Sequence, residues 1–120
     1  MKTNSSLKLP TSALPGPEDI LRAELPNGIV VLVRPNFNSP SIFLAGYLPA
    51  GSLFDPDDQL GLADFTALAL LRGTTRRSFQ QIFNALEAAG ANLGFDSGTH
   101  TVAIGARALV DDLPLILKLI

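Results

Sequence analysis

Cysteine is absent from all 120 residues, so the chain can form neither a disulfide nor a thiolate metal site, and thiol redox chemistry is excluded. Histidine occurs once, as His100, close to Gly98 in a turn-forming stretch. A catalytic base there would need a nucleophile and an orienting partner, and the sequence offers neither. The chain also lacks an excess of either charge: nine Lys and Arg against eleven Asp and Glu leave a formal net charge of −2. That balance does not supply the basic field on which phosphate-backbone binding relies, so nucleic acid is not expected as a partner. No run suits a membrane span, because the longest uncharged stretch, the 20 residues 35–54, is broken by Pro35, Pro40 and Pro49.

Apolar material is plentiful. Hydrophobic residues make up 47% of the chain, ample for a packed core, and the mean hydropathy of +0.30 predicts apolar surface that more chain or a partner normally covers. Met1 to Gly16 is rich in Ser, Pro and Thr and has no apolar segment behind Lys2, so it does not read as a signal peptide, and the cytoplasm is the default compartment. Residues 1–19 are expected to be a flexible arm and residues 20–120 a single partial α+β domain.

From Ile20 the pattern becomes strand-like. Residues 20–25 and 29–33 flank Pro26-Asn27-Gly28, in which Asn-Gly supplies the positive φ angles of a tight hairpin. Ser41 to Leu48 is a third strand, and its near-continuous apolar character predicts burial on both faces. Gly61 to Leu71 follows with Leu62, Phe65, Leu68 and Ala69 at helical spacing, behind acids that suit a helix N-terminus. A second helix carries capping-box spacing at Ser78 and Gln81, an apolar stripe of Phe79, Ile82, Phe83 and Leu86, and Gly90 just past its end. Phe79, Phe83, Leu86, Ile42, Leu44 and Val31 are expected in the core.

Beyond Gly90, residues 92–96 and 101–108 read as a strand pair in which Val102, Ile104, Ala106 and Ala108 alternate against Thr101, Ala103, Gly105 and Arg107. Asp111 and Asp112 are expected to cap a last, apolar helix, with Pro114 in its first turn. That helix has no C-terminal cap and no polar tail, and it reads as a cut through a longer half-domain or as part of a partner interface. The order βββ-αα-ββ-α indicates an α+β sandwich, with helices packed on one face of a mainly antiparallel sheet.

Two clusters resemble sites without their requirements. Asp55-Pro56-Asp57-Asp58 suggests a calcium loop, but Leu60 stands where glycine is required and Thr66 where a bidentate Glu is required, so it reads as a helix start. Arg72, Arg76 and Arg77 around Gly73-Thr74-Thr75 could attract an anion, although an exposed loop between helices is the plainer reading.

Six segments, taken in order, resemble the N-terminal half-domain of the insulinase/pitrilysin-type zinc metallopeptidases, which include the mitochondrial processing peptidases. They are Leu25-Pro26-Asn27-Gly28-Ile29, Ala50-Gly51-Ser52, Gly61-Leu62-Ala63, Arg72-Gly73-Thr74, Leu86-Glu87-Ala88-Ala89-Gly90-Ala91 and Asp111-Asp112-Leu113-Pro114. In active members the helix after Gly-Leu-Ala carries H-x-x-E-H, whose two His bind zinc while the Glu activates water. The resemblance places the first His at Asp64, the Glu at Ala67 and the second His at Leu68, and the third ligand beyond Ile120. It therefore implies the family's fold and partnership without catalysis: no metal and no cofactor in this chain, with zinc only in an active partner.

The implied partner is a homologous zinc-bearing subunit or half-domain, with which this chain would shape a chamber and hold an extended peptide. The strand that binds substrate by β-augmentation in active members falls at Asn92, Leu93, Gly94 and Phe95, where Gly94-Phe95 replaces the family's Asn-Ala step. Asp64, without ligand partners, reads as a residue on the solvent side of its helix. Two other functions are compatible with the same residues: a fragment of a metalloendopeptidase whose working motif lies outside this chain, and a stand-alone peptide-binding module of the same fold.

Overall fold

The structure, a computed structural model, describes residues 16–120. Most of the expected arm, residues 1–15, lies outside the described residues, and Pro17–Asp19 form a single 3-10 turn. The chain divides into two compact units, one ending at Asn38 and one running from Ser39 to Ile120.

In the first unit β1 (Leu21–Glu24) and β2 (Val30–Val33) pair antiparallel, with Leu21 opposite Val33 and Glu24 opposite Val30. The loop differs from a two-residue Asn-Gly turn. Gly28 N–H donates to Leu25 O (2.9 Å) and Leu25 N–H donates to Ile29 O (2.9 Å), while Gly28 alone has a positive φ, +84°. Pro26 and Asn27 therefore make an ordinary turn, and Gly28 supplies the left-handed residue that returns the chain to its register.

The second unit is built on an antiparallel sheet of order β3-β5-β4, made of β3 (Ser41–Leu48), β4 (Asn92–Ser97) and β5 (Val102–Leu109). Its register brings Leu44, Ala106 and Leu93 into one row and Ile42 beside Ala108 in the next, so alternate residues of all three strands share one face. On that face Leu93, Ala106, Ala108 and Ile116 form the buried core, with Leu71, Leu86 and Leu119 packed against it. Thus α2 (Phe79–Ala88) and α3 (Leu113–Leu119) cover one side of the sheet, as the α+β expectation required.

β3 is not buried on both faces. Ile42 and Leu44 point to the core, but Phe43 and Tyr47, 78% and 72% exposed, point to the other side and are open to solvent. Phe79 and Phe83 also fall short of full burial, at 42% and 44% exposed. Their rings stack 5.9 Å apart at the rim, and the Arg72 guanidinium lies 5.2 Å from the Phe79 centroid. Val31 is half-buried.

The capping box of α2 is complete: Ser78 Oγ accepts from Gln81 N–H (3.3 Å) and Gln81 Oε1 accepts from Ser78 N–H (2.9 Å). The cap expected from Asp111 and Asp112 does not form. The chain leaves β5 through a 3-10 turn, Val110–Asp112, which leaves Asp112 at φ −92°, ψ 0° instead of in the extended geometry a capping side chain needs. Ile116 of α3 is 0% exposed, so this helix belongs to the core, while Leu117 remains open to solvent. Among the described residues no helix is long and apolar enough to cross a membrane.

The loop after β3 is clasped to the β4–β5 turn. Ser52 N–H donates to Gly98 O (3.0 Å) and Leu53 N–H to Thr99 O (2.9 Å). Gly51 is buried beneath the turn, and a Cβ there would stand 2.4 Å from Gly98 O, so only glycine permits the approach.

Candidate functional site

The helix implied to carry the emptied zinc motif and the strand implied to hold peptide are neighbours: α1 (Leu62–Ala69) packs against β4. Its orientation is the reverse of the expected stripe. Ala63 and Ala67, one turn apart, are buried at 8% and 5% exposed, while Phe65 and Leu68 are 74% and 69% exposed. Small side chains on the inner face let the helix backbone lie close to the sheet, and the bulky ones turn outward.

Asp55 anchors the start of this helix. Its Oδ2 accepts from Gly61 N–H and its Oδ1 from Ala63 N–H, both at 2.9 Å, so one carboxylate satisfies two amides that the helix cannot. The sequence marks the acids as a helix start but does not single out Asp55, because a cap six and eight residues upstream matches no standard capping spacing.

Of the three positions implied by the resemblance, Asp64 is exposed on the solvent side of α1, Ala67 lies inside and Leu68 lies outside. Only Asp64 carries a donor atom. Among the described residues no three His, Cys, Asp or Glu side chains gather in one place. A catalytic zinc takes three protein ligands and leaves one position open for water, so this donor set does not fit the ion.

The four strand positions fall on β4, which is hydrogen-bonded to β5 on one side and forms an edge of its sheet. Leu93 is buried and faces the core opposite Ala106, with Phe95 on the same face opposite Ile104. Asn92 is exposed, and Gly94 lies directly across from Gly105 on the other face. A Cβ at either glycine would meet nothing within 4 Å, so packing does not demand them and they leave bare backbone next to the edge. What this edge offers chemically is main-chain donors and acceptors, the means by which an extended peptide is bound by strand addition.

The other residues read from the sequence lie elsewhere. His100 is exposed in the β4–β5 turn. The Arg72–Arg77 segment is a tight loop in which Thr74 N–H donates to Arg77 O (2.8 Å) and Thr74 Oγ1 accepts from the amides of Arg76 (3.1 Å) and Arg77 (3.0 Å).

Comparison with known proteins agrees with this framework. Residues 30–120 match the family described as Insulinase (Peptidase family M16). The chain is 27% identical over 116 residues to cytochrome b-c1 complex subunit 2, mitochondrial, of Mus musculus, covering 92% of this chain and 25% of that protein. It is 30% identical over 85 residues to a probable mitochondrial-processing peptidase subunit beta of Arabidopsis thaliana, covering 71% of this chain and 16% of that one. Among solved structures, the peptidase M16 inactive domain from Pseudomonas fluorescens superposes with a TM-score of 0.75 at 25% identity, over 83% of this chain and 24% of that one. Pitrilysin, at a TM-score of 0.74 and 24% identity over 83% of this chain and 11% of its own, shares the fold. The chain spans about a quarter or less of the length of these relatives.

Proposed function

Because the chain belongs to the insulinase family, peptidase family M16, we propose that it is a non-catalytic segment of a peptidase-like subunit, a structural and peptide-holding partner of a homologous zinc-bearing subunit or half-domain. The observation that carries this reading is α1. At the positions where the resemblance puts two imidazoles and a carboxylate, the helix presents one exposed carboxylate, a buried methyl group and an exposed isobutyl group. Neither a metal nor an activated water can be held by that set. The likeness to a domain described as inactive supports the same conclusion.

The part left to this chain is mechanical. β4 lends one sheet edge to an extended peptide, and α1, fixed by the Asp55 carboxylate, backs that strand. Zinc would reside only in the partner. Elemental analysis of the washed chain, with a peptide-cleavage assay on the same sample, should give far less than one zinc per chain and no cleavage. Stoichiometric zinc with cleavage would overturn the reading.

A second reading takes its support from length. Since the chain covers only a small part of relatives such as the probable zinc protease PqqL of Escherichia coli, 10% of that protein, a working motif could lie in a companion segment of the same polypeptide. A longer reading frame encoding H-x-x-E-H would favour it over a separate partner subunit. Recovery of the chain from its source cell with no zinc-bearing companion in either form would favour a stand-alone binding module.

A further inference from the structure

We propose that the face of the β3-β5-β4 sheet turned away from the core is a docking surface for a second copy of this chain, joined about a two-fold axis that runs across the strands. The register orders this face in rows. One row carries Phe43 beside Arg107, the next carries Ala45, Gly105 and Gly94, and the third carries Tyr47, with Asp96 on the outer strand. The surface is distinct from the β4 edge, so the inference is independent of the peptide-holding reading.

Shape is the first argument. Phe43 and Tyr47, both largely exposed, stand on either side of a row with no side chain larger than a methyl group. A Cβ at Gly94 or Gly105 would meet nothing within 4 Å, so the core does not ask for glycine there. Glycine inside a strand weakens it and often marks a place where another backbone comes close. Two such faces can therefore meet along their glycine rows, with aromatic rings filling the space on both sides.

Charge decides which partner fits. Arg107 and Asp96 lie on opposite sides of the glycine row, about 13 Å apart along the strands, too far to pair within one chain. Among the described residues the ion pair formed is Arg22–Glu24, and neither of these two side chains takes part in it. A two-fold axis laid along the glycine row exchanges the outer rows. It sets Phe43 of one copy over Tyr47 of the other, and Arg107 over Ala103, whose neighbour on β4 is Asp96. Both contacts then occur twice, as a self-complementary interface requires. A partner carrying charge of one sign would match one flank and oppose the other. The two sheets would pack as an aligned sandwich, about 10 Å apart and with strands within roughly 30° of one another.

The extent of the face sets the strength of the contact. β3 and β5 are eight residues long and β4 six, which gives on the order of 400 Å² in projection. That is below the roughly 800 Å² per partner of a standard stable interface, so the dimer belongs to the weak class and dissociates on dilution.

The test is sedimentation velocity over a concentration series at low salt, on the 120-residue chain, on Asp96→Arg, on Arg107→Asp and on an equimolar mixture of the two variants. The unaltered chain should show a monomer–dimer equilibrium. Each variant alone should dimerise at least about tenfold more weakly, because like charges then face one another twice. The mixture should recover dimer to within about threefold of the unaltered chain, since every arginine again meets an aspartate. Only a two-fold contact that brings residue 96 of one copy to residue 107 of the other gives this rescue. Both side chains are exposed, and circular dichroism should show both variants folded. The α1 surface is the same in all four samples, so association through it contributes equally to each. A monomer throughout the series, a dimer indifferent to both substitutions, or a mixture that fails to recover would overturn the inference.

Discussion

Asp55 shows what one side chain contributes at the residue scale. Its carboxylate is the cap of α1 although Asp57 and Asp58 are nearer to the helix, because only Asp55 reaches the amides of Gly61 and Ala63. Asp55→Ala should therefore destabilise the chain by about 1–2 kcal/mol, the usual cost of a lost cap, whereas Asp57→Ala should fall within about 0.5 kcal/mol, as surface changes do. Urea denaturation of the two variants decides the point, and equal effects would remove Asp55 from its role. The sequence could not separate these three acids. Capping rules apply to adjacent residues, and Asp55 is brought to the helix by the intervening turn. Ser78 and Gln81 were legible for the opposite reason, since their box is closed within four consecutive residues.

At the scale of elements, helices and strands follow from local pattern while the facing of α1 does not. Periodicity places a helix over these residues, but Ala63 and Ala67 compete with Leu62, Phe65 and Leu68 for the inner face, and hydrophobicity alone favours the larger side chains. The sheet decides otherwise, through how closely the helix must approach β4. The same logic hid the open face of β3, whose apolar run does not reveal that Phe43 and Tyr47 look away from the core. The β4 edge was legible as a strand position, and its place at the margin of the sheet is a property of the topology alone. This geometry also makes a prediction about the emptied motif. Restoring it with Asp64→His, Ala67→Glu and Leu68→His should yield no peptidase, and the carboxylate forced into the site of Ala67, 5% exposed, should lower stability. A cleavage assay and a denaturation curve check both parts, and cleavage by the triple variant would show that α1 lacks nothing but its side chains.

For the whole molecule, the surplus of apolar residues anticipated from composition is now located. Phe43, Leu60, Phe65 and Leu68 are each about 70–80% exposed, more than a lone soluble domain needs to display. If a companion normally covers the α1 surface, Phe65→Ser with Leu68→Gln should reduce self-association, read by light scattering, and change stability by no more than about 1 kcal/mol. Ile116→Ala, at a fully buried position, should cost about 2–5 kcal/mol. A large loss of stability from the surface pair would mean that those side chains already serve this chain's own packing.

The clasp beneath which Gly51 sits joins segments separated in sequence by α1, α2 and β4, so its two hydrogen bonds can form only after that long loop has closed. Such contacts come late in folding, and local opening of the exposed loop releases them without unfolding the sheet. The amide protons of Ser52 and Leu53 should accordingly exchange with solvent more slowly than unbonded loop amides but faster than those in the middle of β5, the central strand.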